Sequence, residues 1–433
     1  MKIAFVAMSG VRVRNEALRA TGVTLPGFVR RGEVIASLPS LGLLTLAGMT
    51  PKHHSMQYIE IDDVSSMPDI DADIVAISSF TARIEAAYKV AAIARSKGSK
   101  VIMGGLHVTA CPDEACQYAD SIVVGSGEGA WPLLLTDAER GHLQPVYYGH
   151  NDAVFSPPSY AAPRFDLLHG GAHNRITIQT TRGCPRDCSF CAASLRLGGP
   201  YQRKPIETVI AEIRTAKKAT KNAFFEFADD NTFLDRTWSR QLLRELAKEE
   251  IRFFTETDAS IADDPELCDL LAAAGCRQVL IGFESPRADD LENVDPANWK
   301  RTQAPSLTRV VDTLQSRGVS VNGCFILGLD HQTPDVFSQV LDFVRRSGLA
   351  DVQFTVLTPF PGTPLYEQLK RTGRLLTDKF WDRCTLFDVN FRPKHMTVEE
   401  LEAGMLWLFR EAYSSDATRQ RKRAFLKQKT QTR

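Results

Sequence analysis

The chain has 433 residues, long for one domain and sufficient for two with a tail. Its hydrophobic content of 43% supports a sizeable core, and a formal net charge of zero argues against a nucleic-acid partner, which needs a broad basic surface. No apolar run is long enough to span a bilayer. The opening Met1-Lys2-Ile3-Ala4-Phe5-Val6 stops at Ser9-Gly10 without a cleavage pattern, so it reads as a first strand and not a signal peptide. Nine cysteines, an odd number, fit a reducing cytoplasm, which is the expected location.

Residues 1–142 alternate strand and helix patterns. Strands are expected over 2–8, 56–62, 73–80, 100–105 and 121–125, and helices over 40–49 and 84–94. This alternation predicts an α/β fold, a Rossmann-like, doubly wound and mostly parallel sheet, whose ligands bind beyond the carboxyl ends of its strands. The residues there are small or polar: Ser78 and Ser79, Gly104-Gly105-Leu106-His107, and Gly125-Ser126-Gly127-Glu128-Gly129. Glycines at those ends admit a large ligand close to the backbone. The spacing of the last group is not that of a dinucleotide loop, so composition alone allows a nucleotide, a flavin or an empty site. Residues 143–174, with Pro157-Pro158, Pro163 and Gly170-Gly171, read as a linker.

From Arg175 the alternation resumes through residue 375. Strands are expected over 176–181, 223–227, 251–257, 277–283, 319–327 and 352–357, each but the last followed by a helical pattern. Pro205 opens one helix, and Asp264-Pro265 starts another that Gly275 ends. Six such units predict a partial TIM-like (β/α) barrel with its function at the carboxyl ends of the strands. Residues 376–433 form a small helical region. Thr397 and Glu400 make a capping box, and Arg419, Arg421, Lys422, Arg423, Lys427 and Lys429 make a basic end that reads as a frayed, solvated tail. If the substrate is a lipid, that end also suits peripheral contact with an anionic membrane.

The chemistry concentrates in Gly183-Cys184-Pro185-Arg186-Asp187-Cys188-Ser189-Phe190-Cys191, directly after the first barrel strand. Three thiolates on one short loop can close around an iron–sulfur cluster, and three ligands leave one iron with an open position. Zinc would want a fourth cysteine or histidine, and none follows closely. Cys268, Cys276, Cys324 and Cys384 read as core residues, and no second cluster motif is present.

The CxxxCxxC spacing, with Phe190 before the last cysteine, resembles the signature of the radical S-adenosylmethionine (SAM) enzymes. The resemblance implies that Cys184, Cys188 and Cys191 hold a 4Fe-4S cluster, that the free iron chelates SAM, and that electron transfer cleaves SAM to a 5′-deoxyadenosyl radical. It also implies an electron donor of the flavodoxin or ferredoxin type. Asp229 and Asp230 stand where that family meets the SAM amino group, either one being the contact. Glu284 stands where ribose or amino contacts occur, and Gly323 and Ile326 fall in the segment along the adenine.

The upstream domain, with Gly104-Gly105-x-His107 and Gly125-x-Gly127-Glu128, is similar to the cobalamin-binding domain of one radical SAM subgroup. The DxHxxG element that gives cobalt a histidine in many cobalamin proteins is absent. Together these imply a cobalamin-dependent methyltransferase acting on an unactivated carbon of a natural product or lipid-like molecule. A rearrangement, cyclisation or oxidation by the same architecture is the alternative. A methylthiotransferase would bring three further cluster cysteines, where this chain offers only Cys111 and Cys116, and a C-terminal RNA-binding barrel in place of helices. A non-catalytic carrier conflicts with the intact cysteine loop.

Overall fold

The computed structural model describes residues 1–22, 34–35, 38–149, 155, 161–168, 173, 175–192, 201–220 and 223–430. Six parallel strands form the N-terminal sheet: β1 (Lys2–Met8), β2 (Ser55–Ile61), β3 (Ile74–Ser78), β4 (Lys100–Gly104), β5 (Ser121–Gly125) and β6 (Val146–Gly149), in the order β2-β1-β3-β4-β5-β6. The order reverses at β1, so a crevice opens beyond the carboxyl ends of β1 and β3. Side chains along β1 alternate between two apolar layers. Ala4, Val6 and Met8 face one, while Ile3, Phe5 and Ala7 face the other, against α1 (Leu41–Met49) and α3 (Gly127–Glu139); α2 (Ile84–Ser96) covers the first. Trp131 of α3 is fully buried and donates its indole N–H to Thr50 Oγ1 at 2.9 Å.

The linker expected over 143–174 begins inside the sheet, because β6 pairs in parallel with β5. Gly125 lies at φ 87°, and a Cβ there would fall 2.5 Å from the carbonyl oxygen of Gly149. Only glycine lets β6 close this edge.

The second sheet holds β7 (Arg175–Ile178), β8 (Phe224–Phe227), β9 (Arg252–Thr257), β10 (Cys276–Glu284), β11 (Ser320–Leu327) and β12 (Asp351–Val356), all parallel and in sequence order. Helices α4 (Ile206–Ala219), α5 (Arg236–Ala247), α6 (Pro265–Ala273), α7 (Leu307–Gln315) and α8 (Val336–Ser347) connect them, so the expected six-unit partial barrel is present. Asp264 caps α6 through Leu267 N–H, with Pro265 at the first position.

At the C-terminus, α9 (Val398–Ala412) carries the capping box formed by Thr397 and Glu400. The frayed tail expected beyond it is instead a second helix, α10 (Ser415–Thr430). It is docked on the barrel: Gln428 exchanges hydrogen bonds with Asp312 and Gln315, and buried Arg421 donates to the Ala412 carbonyl. No helix among the described residues is long and apolar enough to cross a membrane.

Segment 380–388 ties the halves together. Phe380, Trp381 and Cys384 pack into the core of the N-terminal sheet, and Trp381 Nε1 donates to Glu114 at 3.2 Å. Asp388 accepts the backbone N–H groups of Arg14 and Asn15.

Candidate active site

The cysteine loop leaves β7 through a two-residue strand, Thr181–Arg182, paired with Gln202–Arg203. Gly183 and Asp187 adopt positive φ, so the chain turns sharply on itself. Three bonds fix the loop: Gly183 N–H to Asp230 at 2.8 Å, Ser189 N–H to the Val294 carbonyl, and Leu365 N–H to the Ser189 carbonyl. As a result Cys184, Cys188 and Cys191, with Phe190, line one cavity of about 500 Å³ over the barrel. Burial pushes the Cys188 thiol up to about 12 and raises Cys184 as well. Thiolates here therefore need a cation to compensate them, and cluster irons supply one.

The cavity is rich in carboxylates. Glu226 pairs with Arg175, Asp258 with Arg186 at 2.8 Å, and Glu284 with Lys300 at 2.7 Å. Asp230 and Glu256 line the same cavity, and among the described residues neither makes an ion pair. Glu256 is exposed on the cavity that it lines. Burial, then the nearby carboxylates of Glu226, Asp230, Asp229 and Glu284, push it up to about 8. This field suits a cationic ligand such as a sulfonium carrying an ammonium group.

The sequence expectations divide on this geometry. Of the two adjacent acids, only Asp230 reaches the cavity. Asp229 is buried and turned into the barrel wall, where it accepts from the N–H groups of Thr180 (2.7 Å) and Thr181 (3.0 Å) and from the hydroxyls of Thr180 and Thr232. It holds β7 to β8 and is not placed to touch a ligand. Gly323 also lies outside the lining: a Cβ there would meet Leu349 and the Phe283 ring at 3.0 and 3.2 Å, so close packing against the strand explains it. Ile326 does line the cavity, as does Cys324, which the sequence reading had placed in the core. Sequence reading assigns no role to Asn231 or Arg186 and does not single out Glu256 or Lys300. For Glu256 the available signal is a lone acid in the strand run Phe253-Phe254-Thr255-Glu256.

A second cavity, about 450 Å³, lies between the carboxyl edge of the N-terminal sheet and the barrel. Ser78, Ser79, Gly104, Gly105, Gly125 and Glu128 all line it. Gly105, at φ 103°, leaves the floor open; a Cβ would stand 3.2 Å from Ser78 Oγ. Glu128 does more than face the cavity. Its carboxylate accepts from Ser126 Oγ (2.8 Å) and from Arg182 Nη2 (2.7 Å), an ion pair between the two halves of the chain. Burial alone would raise the Glu128 pKa, but Arg182 outweighs it and holds the group below the ordinary carboxylate value. His107 is displaced from its expected role. It is fully buried, 3.4 Å from Glu114 and edge-on to the Trp381 ring, and it does not line the cavity. No described lining residue is a histidine.

Thr177, Gln179, Arg182, Ala228 and Asp230 of the barrel half close the second cavity. Asp230 thus belongs to the walls of both cavities and stands at their junction.

Residues 178–344 match the family model of the Radical SAM superfamily, residues 29–135 that of the B12 binding domain, and residues 363–433 a domain of unknown function, DUF4070. The chain is 29% identical over 393 residues to bacteriochlorophyllide d C-12(1)-methyltransferase of Chlorobaculum tepidum, covering 89% of this chain and 84% of that one. It is 26% identical over 360 residues to hopanoid C-2 methylase of Rhodopseudomonas palustris, covering 80% and 67%. The solved structure of the radical SAM methyltransferase TsrM from Kitasatospora setae, with cobalamin and a 4Fe-4S cluster bound, matches with a TM-score of 0.65 at 15% identity, covering 99% of each chain. The last comparison establishes a shared fold.

Proposed function

We propose that this chain, which joins a B12-binding domain to a radical SAM domain, methylates an unactivated carbon of an apolar small molecule such as a tetrapyrrole or an isoprenoid. The observation that carries this reading is the junction at Asp230, where a three-cysteine cavity and a glycine-floored cavity share a wall. The named activities of the relatives point the same way.

Cys184, Cys188 and Cys191 would hold the cluster, Asp230, Glu256 and Glu284 would face SAM, and Ser78, Ser79, Gly104, Gly105 and Gly125 would cradle cobalamin. When bound, these groups supply a 5′-deoxyadenosyl radical and a transferable methyl group. The protein positions and shields them. Phe190, Phe254, Leu280, Ile326, Phe360 and Leu386 give the barrel cavity an apolar wall that excludes water from a radical. Leu386 is held at φ 70° by a loop that Thr385 and Asp388 brace, and strain of this kind at a cavity wall is a mark of positioning.

The test is an anaerobic reaction of cluster-reconstituted enzyme with SAM labelled in its methyl group and a panel of tetrapyrroles and isoprenoids. The label is expected in a product only when cobalamin is present. A product formed without label would instead support a rearrangement or oxidation.

Reduction of the cluster calls for a low-potential one-electron donor of the flavodoxin or ferredoxin type. The outward side of α10 exposes Arg419, Lys422, Arg423, Leu426 and Lys427, which supports peripheral contact with an anionic membrane. The enzyme should sediment with vesicles containing anionic lipid at low salt and be released at high salt. Failure to sediment at low salt would remove the membrane contact.

A further inference from the structure

Outside both cavities, at the amino edge of the N-terminal sheet, His53 and His54 occupy the turn before β2, and Glu139 ends α3. We propose that these three residues form a binding site for one divalent transition-metal ion of the zinc type. Their ligand atoms all lie within 4.8 Å of one another. The Nε2 atoms of His53 and His54 approach the same carboxylate oxygen, Glu139 Oε1, at 2.8 and 3.1 Å. Tetrahedral zinc with bonds of about 2.0–2.1 Å needs its ligand atoms about 3.3 Å apart. The two nitrogen–oxygen distances therefore need to open by only a few tenths of an ångström, and the side chains of His53 and Glu139, 65% and 43% exposed, have room to adjust.

The second observation concerns His54. Its side chain is 1% exposed, yet its Nε2 makes no hydrogen bond and points toward Glu139. A buried ring nitrogen whose 3.1 Å contact with Glu139 falls short of a hydrogen bond is under-satisfied, and a metal ion would satisfy it. Two histidines and a glutamate leave a fourth position for water. An ion here would pin the end of α3 to the turn that starts β2, a structural role separate from the chemistry at Asp230.

The test is calorimetric titration of cluster-reconstituted enzyme with Zn²⁺, alongside His53→Ala and Glu139→Gln, both at exposed side chains that folding does not require. One Zn²⁺ per chain is expected in the parent, bound at least about tenfold more weakly in each variant, with iron content unchanged. Zn²⁺ should raise the unfolding temperature of the parent more than that of either variant. If the parent takes up no Zn²⁺, or the variants bind it equally well, the contact is adventitious or absent and the proposal falls.

Discussion

Cys188→Ala is expected to reduce 5′-deoxyadenosine formation to the level of an enzyme-free control and to lower the iron bound after reconstitution. The reason lies in the geometry of the loop. Its path is set by bonds that do not involve sulfur, namely Gly183 to Asp230, Ser189 to Val294 and Leu365 to Ser189. The substitution therefore leaves the fold in place and removes one of three thiolates from the cavity. Two ligands do not complete a three-cysteine cluster site. Cys268→Ala is the matched control. Cys268 is buried on α6, with its Sγ 3.4 Å from the Ile261 carbonyl, and its truncation should cost about 1 kcal/mol of stability while sparing SAM cleavage. Full iron content and 5′-deoxyadenosine formation in Cys188→Ala would contradict the assignment.

Lys300→Met should destabilise the protein by ~3–5 kcal/mol, the range for removing one partner of a buried ion pair. Lys300 Nζ donates to Glu284 Oε1 and to the Gly282 carbonyl, both at 2.7 Å, and the two side chains are only 12% and 6% exposed. Burial by itself would lower the Lys300 pKa, but Glu284 and then Cys188 outweigh it and keep the ammonium charged. Without that charge, Glu284 is left in the cavity at a left-handed φ of 59° with no cation. The double variant Lys300→Met/Glu284→Gln should recover part of the loss, because it removes the stranded carboxylate. Chemical denaturation of the three proteins measures this. A single variant within about 0.5 kcal/mol of the parent would show that the pair contributes nothing.

Much of this arrangement could be read from the sequence. The alternation of apolar strands with capped helices announces both sheets, since Asp264-Pro265 and Gly275 mark boundaries that the structure keeps. The cysteine loop was legible because its spacing has little structural use apart from a cluster. The pair Asp229 and Asp230 remained open although the structure separates them cleanly: adjacent residues leaving a strand point to opposite sides, so only one can face the cavity. Lys300 gave no signal, because it comes from a short helix, Trp299–Gln303, in a stretch without periodicity and meets Glu284 only through the fold. The bond from Trp381 to Glu114 joins residues 267 positions apart, a distance that local patterning does not encode. The strand β6 was missed because it is short and half exposed, at the edge of its sheet.

The proposed function carries an expectation that does not depend on knowing the substrate: SAM would be used in two ways, cleaved to the radical at the barrel cavity and spent to methylate the cobalamin held in the adjoining cavity. Quantifying both SAM products from one anaerobic reaction tests it most directly, with cluster-reconstituted enzyme assayed with and without cobalamin. The expected result is 5′-deoxyadenosine together with S-adenosylhomocysteine, the latter only when cobalamin is bound. Formation of 5′-deoxyadenosine alone, in equal amounts with and without cobalamin, would contradict it.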